Sequence, residues 1–142
     1  IRCLYHNQAP PTDIRVEPGI EIGEAQKQLA EDGIPSAPHP VVPRCLRAQS
    51  GRPTAGSLYR SGSIYMQEAG SQLIPYMLDV QRGVRVLDAC AAPGSKATQM
   101  SRWSHPGKVI ALERRLPRIE LLASIAKQWR CDNLLPGPSG SP

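Results

Sequence analysis

Residues 84–96 form the pattern that most limits how this chain can fold. Val84-Arg85-Val86-Leu87 reads as a short strand that ends in the carboxylate of Asp88. The next six residues, 89–94, are small or Pro, and Gly94 can adopt backbone angles that other residues avoid. A helix is expected to begin at Ser95. Its first turn offers N–H groups without helical partners and a partial positive charge, so the pattern predicts a strand-to-helix turn that faces a ligand.

A second strand and helix follow at once. Lys108 to Glu113 reads as a strand that again ends in a carboxylate, and residues 117–130 carry apolar residues at helical spacing. Strand, helix, strand and helix in succession predict a parallel sheet with right-handed crossovers. Ligands bind outside the carboxyl ends of such strands, and an acidic residue at the position of Glu113 accepts hydrogen bonds from ribose hydroxyls.

The two strand ends together favour a ligand with an amino-acid part and a ribose, such as S-adenosylmethionine. The helix N-terminus after Gly94 suits the carboxylate of the amino-acid part. The loop lacks the G-x-G-x-x-G pattern, which weakens a nicotinamide or flavin interpretation. It also lacks the G-K-[ST] ending of a phosphate-binding P-loop.

The regions outside this unit set the expected domain organisation. Residues 1–60 are rich in Pro and predict a small, irregular α/β subdomain, with strands over 13–16 and 45–48 and a helix from Ile22 to Asp32. Residues 61–135 open on an amphipathic helix, expected over 66–78, and form the ligand-binding domain. Residues 136–142 contain only Pro, Gly and Ser, so a disordered tail is expected there.

The charge favours a polyanionic partner without proving one. The sequence has 17 Lys and Arg against 12 Asp and Glu, a net charge of +5, so RNA or DNA is a plausible partner. Ordinary solvated arginines would give the same balance. The candidates for RNA contact in the first subdomain are Arg2, Arg15, Arg44, Arg47, Arg52 and Arg60.

The cysteine pattern and the hydropathy of the sequence bear on metal binding, redox state and membrane association. The four cysteines form no C-x-x-C pair and match no zinc spacing, so no metal site is expected. They read as reduced thiols of a cytoplasmic protein. No apolar run approaches the roughly 20 residues that a membrane span needs, so no membrane association is expected.

Three stretches carry a family resemblance. Asp88 to Lys96 resembles the D-x-C-A-A-P-G-G-K segment of the Sun family of RNA 5-methylcytosine methyltransferases, which includes the Fmu/RsmB-type 16S rRNA enzymes. Residues 62–73 resemble the family's G-x-x-x-x-Q-[DE]-x-x-[SA]-Q segment, and residues 10–16 resemble its P-P-x-x-x-R-[VA] strand. Glu113 and Arg118 match its [DE]-x-x-x-x-R pattern.

The resemblance implies the N-terminal part of a Rossmann-like methyltransferase sheet, preceded by a small irregular α/β subdomain that contacts RNA. It implies methyl transfer from S-adenosylmethionine to C5 of a cytosine in RNA, with rRNA as the expected substrate, and a monomer is expected. Carried over, the cofactor contacts fall on Cys90, Ala91, Ala92, Pro93, Gly94, Ser95 and Lys96, with Glu113 on the ribose.

The resemblance also implies what the chain lacks. The family's nucleophile lies in a later P-C segment, and a T-C segment helps to release the product; neither pair occurs in this sequence. Cys90 is therefore expected to be a cofactor-loop residue, and the chain to be the cofactor-binding part, inactive alone. The alternatives are a methyltransferase acting on protein or a small molecule, and a non-catalytic module that binds cofactor or RNA.

Two residues of the loop leave a choice open. Ser95 stands where the family usually has a second Gly, which is costly if the position needs a positive φ and harmless if it lies in the first helical turn. Lys96 either pairs with an acidic group or substrate, or packs its ammonium near Asp88. Asp88 itself is expected to orient the loop by accepting backbone N–H bonds.

Overall fold

The computed structural model describes residues 11–140, which divide into two compact units at Gly70. The expected boundary after residue 60 is wrong, because a strand over Ile64–Met66 pairs antiparallel with the first strand of the chain and so belongs to the first unit. The helix expected over 66–78 is correspondingly shorter and spans Ala69–Met77. Alternation over so few residues does not separate a strand from the start of a helix.

The first unit is a four-stranded antiparallel sheet with a helix against it. Its elements are β1 (Thr12–Val16), α1 (Ile22–Glu31), β2 (Ser36–Pro38), β3 (Cys45–Ala48), a 3₁₀ turn (Pro53–Ala55), α2 (Ser57–Arg60) and β4 (Ile64–Met66). The strand order is β2-β3-β1-β4, all antiparallel. This order and the β-α-β-β-α-β succession are those of a ferredoxin-like unit, which is more regular than the sequence predicts.

Alternation along β1 decides which face of the sheet is covered. Ile14 and Val16 are fully buried in the core, together with Leu29 of α1, Leu46 of β3 and Ile64 of β4. Side chains of one strand point alternately to opposite faces, so Asp13 and Arg15 lie on the other face of the same sheet. A shift of register by one residue would exchange the two sets, so this pattern specifies the pairing of β1 strongly.

The second unit contains the expected parallel sheet. Its elements are α3 (Ala69–Met77, which begins at the unit boundary), β5 (Val86–Asp88), α4 (Ser95–Ser104), β6 (Val109–Glu113), α5 (Leu116–Gln128) and β7 (Leu134–Pro138). The strand order is β5-β6-β7, and both pairs are parallel. The Rossmann-like arrangement is therefore confirmed, with the carboxyl ends of β5 and β6 side by side.

The expected tail over 136–142 is wrong where the structure describes it. Pro136 and Pro138 belong to β7 and pair with Ala111 and Glu113 of β6. The Ser139 N–H also donates to the Glu113 carbonyl at 3.0 Å. Parallel pairing needs backbone groups and no apolar side chains, and an edge strand tolerates Pro because one of its sides donates to no ladder. Residues 141–142 lie outside the described residues.

A buried amide ties the start of β7 to the end of α4. The Asn133 side chain donates to the carbonyls of Ser101 at 2.9 Å and Gly107 at 2.7 Å. Its oxygen accepts the Ser101 hydroxyl. Gly107 is necessary here, since a Cβ would lie 1.9 Å from the Val84 carbonyl oxygen. The turn after α4 is thus held in place beneath the sheet by neutral groups.

Candidate functional site

The loop between β5 and α4 is fastened at its entry. The Cys90 N–H donates to Asp88 Oδ1 at 3.2 Å, which confirms that Asp88 orients the loop. The Ala91 N–H donates to the Leu112 carbonyl on β6 at 2.9 Å. One bond thus runs to the loop's own strand and one to the neighbouring strand, so the loop sits across the carboxyl ends of both.

Gly94 closes the loop in a conformation that other residues rarely adopt. Its φ is +118°, and a Cβ would lie 2.7 Å from Cδ1 of Leu122 on α5. Ser95 is the first residue of α4, so it needs no positive φ and replaces the family's second Gly without strain. The departure at Ser95 is therefore harmless to the backbone.

Glu113 ends β6 with both carboxylate oxygens engaged by the protein. Oε1 accepts the backbone N–H groups of Arg114 at 2.8 Å and Arg115 at 3.1 Å. Oε2 lies 3.1 Å from Nε of Arg118. The N–H of Arg115, then that of Arg114 and the charge of Arg118, hold the pKa of Glu113 below its usual range. The side chain is 11% exposed, and a carboxylate has about four acceptor positions, so it can still accept a ligand hydroxyl.

Arg118 connects this carboxylate to the loop. Its Nη2 donates to the Ala92 carbonyl at 2.7 Å while its Nε faces Glu113. The guanidinium comes from the first turn of α5, five positions after Glu113. Sequence reasoning matched Arg118 to the family pattern and gave it no role. The spacing was the available signal, because it puts the side chain back over the strand end.

The expected cofactor residues other than Glu113 form one continuous segment, which runs along the loop and into the first turn of α4. Ala91, Ala92 and Gly94 are buried, Cys90 and Pro93 are exposed, and Ser95 and Lys96 are half-buried in the first turn of α4. Within residues 11–140, Lys96 makes no ion pair with Asp88 or with another acidic side chain. Glu113 is connected to this segment by Arg118, which binds both its carboxylate and the Ala92 carbonyl. The cofactor contacts themselves remain predictions.

The arginines expected to contact RNA fall into two groups. Arg15 is 4% exposed and binds Glu17 and Gln67, so it is not a solvated contact residue. Arg44 donates to three backbone carbonyls, and Arg47 binds both carboxylate oxygens of Asp13. These three arginines shape the first unit itself.

The other group is open to solvent. Arg52 and Arg60 are exposed and line an open pocket of about 300 Å³, although Arg60 also donates to the Ala55 carbonyl at 2.6 Å. Arg2 lies outside the described residues. Of the arginine candidates that the structure describes, Arg52 and Arg60 are therefore the two that are open to solvent.

Residues 11–140 contain no group of three or more His, Cys, Asp and Glu side chains placed to hold a metal ion. Among the helices of the same residues, none is both long enough and apolar enough to cross a membrane.

Comparisons with known proteins agree with the geometry. Residues 75–135 match the family model of the 16S rRNA methyltransferase RsmB/F. The chain is 33% identical over 119 residues to the ribosomal RNA small subunit methyltransferase B of Citrobacter koseri, a stretch that covers 80% of this chain and 28% of that protein. The Salmonella arizonae protein of the same name is 34% identical over the same shares. The chain thus spans under a third of the length of these relatives.

A solved structure shows the same fold over nearly the whole chain. A methyltransferase homologue from Pyrococcus horikoshii superposes with a TM-score of 0.82 at 23% identity, covering 94% of this chain and 45% of that one. The superposition shows that the fold is shared, and the residues that match the family model include the loop, Glu113 and Arg118. The chain belongs to the Sun-like RsmB/F family of rRNA methyltransferases.

Proposed function

We propose that this chain binds S-adenosylmethionine at the carboxyl ends of β5 and β6, and that it serves methyl transfer to C5 of a cytosine in rRNA. The observation that supports this proposal is that two features lie together at the carboxyl ends of neighbouring strands. A loop closed by Gly94 precedes the helix α4, and the carboxylate of Glu113 stands on the adjacent strand. S-adenosylmethionine supplies an electrophilic methyl group when bound.

The residues present fit this cofactor. The first turn of α4 directs backbone N–H groups and a positive dipole end toward the loop, which suits the carboxylate of the methionine part. Ala91, Ala92 and Gly94 present little side chain, so a ligand can approach the backbone. Glu113 keeps its negative charge at neutral pH and can accept the ribose hydroxyls.

The chain's part in the reaction is binding and orientation. Methylation at C5 of cytosine requires a thiolate that adds to C6, and neither a Pro-Cys nor a Thr-Cys pair occurs in the sequence. Cys90 is exposed on the loop proposed to bind the methionine part, so we give it a cofactor-contact role and no attack on the base. The proposed substrate, rRNA, would place the activity in the cytoplasm.

Titration calorimetry with S-adenosylmethionine tests the cofactor part of the proposal. Gly94→Val and Glu113→Ala should each lower the affinity at least about tenfold, roughly 1.4 kcal/mol. Gly83→Val and Glu120→Ala are the matched controls. Gly83 also has a positive φ of 85° but nothing within 4 Å of a Cβ, and Glu120 is an exposed carboxylate on α5. Equal affinities in all four variants would contradict the assigned site.

A chimera tests the reaction itself. The matching stretch of the Citrobacter koseri relative is replaced by this chain, and tritium release from [5-³H]cytosine-labelled 16S rRNA is measured, since only substitution at C5 releases that label. We expect release, and its loss in the Gly94→Val chimera. A chimera that binds S-adenosylmethionine and methylates RNA without releasing tritium would refute the C5 assignment.

A further inference from the structure

We propose that Arg118 is a positioning residue that holds the Ala92 carbonyl of the loop and the carboxylate of Glu113 at one separation, so that the two ends of a single cofactor meet their partners together. The inference rests on the proposed function, because it assumes that the loop and Glu113 serve the same ligand. It assigns Arg118 no contact with the reacting atoms.

The geometry of the guanidinium carries this inference. Nε faces Glu113 Oε2 at 3.1 Å, and Nη2 donates to the Ala92 carbonyl at 2.7 Å. The N–H groups of a guanidinium point in fixed directions within one plane, so two partners of the same guanidinium are held at one relative position. A lysine ammonium is a single point charge on a flexible stem and cannot reproduce the fork.

The rest of the loop explains why this fastening matters. The N–H groups of Cys90 and Ala91, which donate to Asp88 Oδ1 and to the Leu112 carbonyl, secure the entry of the loop from β5. Beyond Ala91, the Ala92 carbonyl is tied to α5 by Arg118 before the chain turns at Gly94 into α4. Arg118 is therefore the link between the second half of the loop and the carboxylate on β6.

The exposure of the Arg118 side chain indicates that it positions the loop rather than stabilises the fold. The Arg118 side chain is 49% exposed, and an ion pair open to solvent contributes little to folding. Removing the side chain should leave the unit folded, while the loop gains freedom relative to Glu113. A ligand that contacts both the loop and Glu113 then binds more weakly, because part of its binding free energy is spent on ordering the loop.

The first measurement needs no ligand. Amide hydrogen exchange is compared in the wild type, Arg118→Gln, Arg118→Lys and the control Arg115→Gln. Arg115 is an exposed neighbour whose backbone N–H, and not its side chain, binds Glu113. We expect the Ala91 amide, which precedes Ala92 and donates to the Leu112 carbonyl, to exchange about tenfold faster in both Arg118 variants, a 1.4 kcal/mol lower cost of opening. Its exchange should be unchanged in the control. Unchanged exchange in Arg118→Gln would overturn the inference.

The second measurement compares a ligand that spans the site with one that does not. Calorimetry should show about a tenfold loss of S-adenosylmethionine affinity in both Arg118 variants, with adenosine, which would reach Glu113 alone, losing less than about threefold. Equal losses for the two ligands would indicate direct contact with the nucleoside and overturn positioning. If the wild type binds no S-adenosylmethionine, the proposed function fails, and the exchange experiment alone decides whether Arg118 fastens the loop.

Discussion

In the antiparallel unit the charged side chains of β1 form ion pairs, Asp13 with Arg47 and Arg15 with Glu17. In the parallel unit the carboxylate of Glu113 at the end of β6 is held by two backbone amides as well as by Arg118. Arg15 and Glu17 are both nearly fully buried and form an ion pair. Glu113 is oriented just as firmly by the amides of Arg114 and Arg115. Because Oε1 of Glu113 is held by backbone amides alone, the carboxylate keeps acceptor positions for a ligand hydroxyl, whereas the buried charges of Arg15 and Glu17 are paired inside the unit.

The largest effect is expected from breaking the buried pair of the first unit. Arg15→Met leaves Glu17 buried without its guanidinium and removes the cation above the Tyr65 ring, 4.7 Å away. We expect a loss of about 3–5 kcal/mol in the free energy of unfolding, measured with denaturant. Arg52→Met, at an exposed site, should change it by less than about 0.5 kcal/mol.

A double variant sharpens this test. Arg15→Met with Glu17→Leu removes both charges, and apolar replacements of a buried pair are often neutral or stabilising. Most of the lost stability should therefore return. A single Arg15→Met variant as stable as the wild type would show that the pair does not hold the first unit together.

A smaller effect is expected from the neutral clamp of the second unit. Asn133→Ala removes the amide donor from the buried Gly107 carbonyl, while the Ser101 carbonyl keeps the His105 N–H. We expect a loss of about 2–3 kcal/mol in the free energy of unfolding, because a buried polar group without a partner costs about 1–3 kcal/mol. The neighbouring Asp132→Ala, on a side chain 81% exposed, serves as the control and should change little. Equal losses in both would contradict the clamp.

The pH dependence of cofactor affinity tests the availability of Glu113. Its lowered pKa keeps the carboxylate charged, so the affinity advantage over Glu113→Gln should be complete at neutral pH. It should disappear only as the pH falls through that lowered pKa, below the usual glutamate value of about 4.3. In Arg118→Gln the pKa of Glu113 rises, so the loss should begin at higher pH. Calorimetry across pH checks both, and an advantage independent of pH would exclude the carboxylate as the acceptor.

The smallest effect is expected from the exposed arginines of the first unit. If Arg52 and Arg60 contact phosphates, their replacement by Ser should reduce the slope of log affinity for rRNA against log salt by about 0.7–0.9 for each contact. Arg82→Ser with Arg85→Ser removes the same charge from exposed sites of the second unit. Filter binding across salt concentrations measures the slope for each of the two double variants. Equal slopes would mean that Arg52 and Arg60 have no special place in RNA contact.

Local signals predicted the second unit well. The order of strands and helices between residues 84 and 130 was correct to within two or three residues at each boundary, because strand alternation, helical spacing and the turn residues all act over a few positions. The strand Ile64–Met66 was missed because its partner β1 lies some fifty residues earlier in the chain. The strand over Leu134–Pro138 was not predicted, because pairing of backbone groups leaves little trace in side chains.

The candidate site also has features that local sequence signals predict and features that depend on contacts between distant residues. The loop, its Gly94 and the carboxylate of Glu113 follow from residue type and spacing, and the family pattern names Arg118 without a role. The bond from Arg118 to the Ala92 carbonyl could not be predicted, since it depends on where α5 begins relative to the loop. The buried state of Arg15 was also missed, because an arginine in a basic chain gives no sign of its partners.

The sequence by itself determined that a carboxylate-ended strand, a small-residue loop and a helix would succeed one another, because each is set by side-chain size and periodicity over a few residues. Only the tertiary structure decided which charges remain for a ligand. Whether an arginine binds a neighbouring strand, a carbonyl or solvent depends on packing between residues far apart in the chain. Arg15, buried with Glu17, and Arg118, spanning Ala92 and Glu113, are two outcomes of that packing.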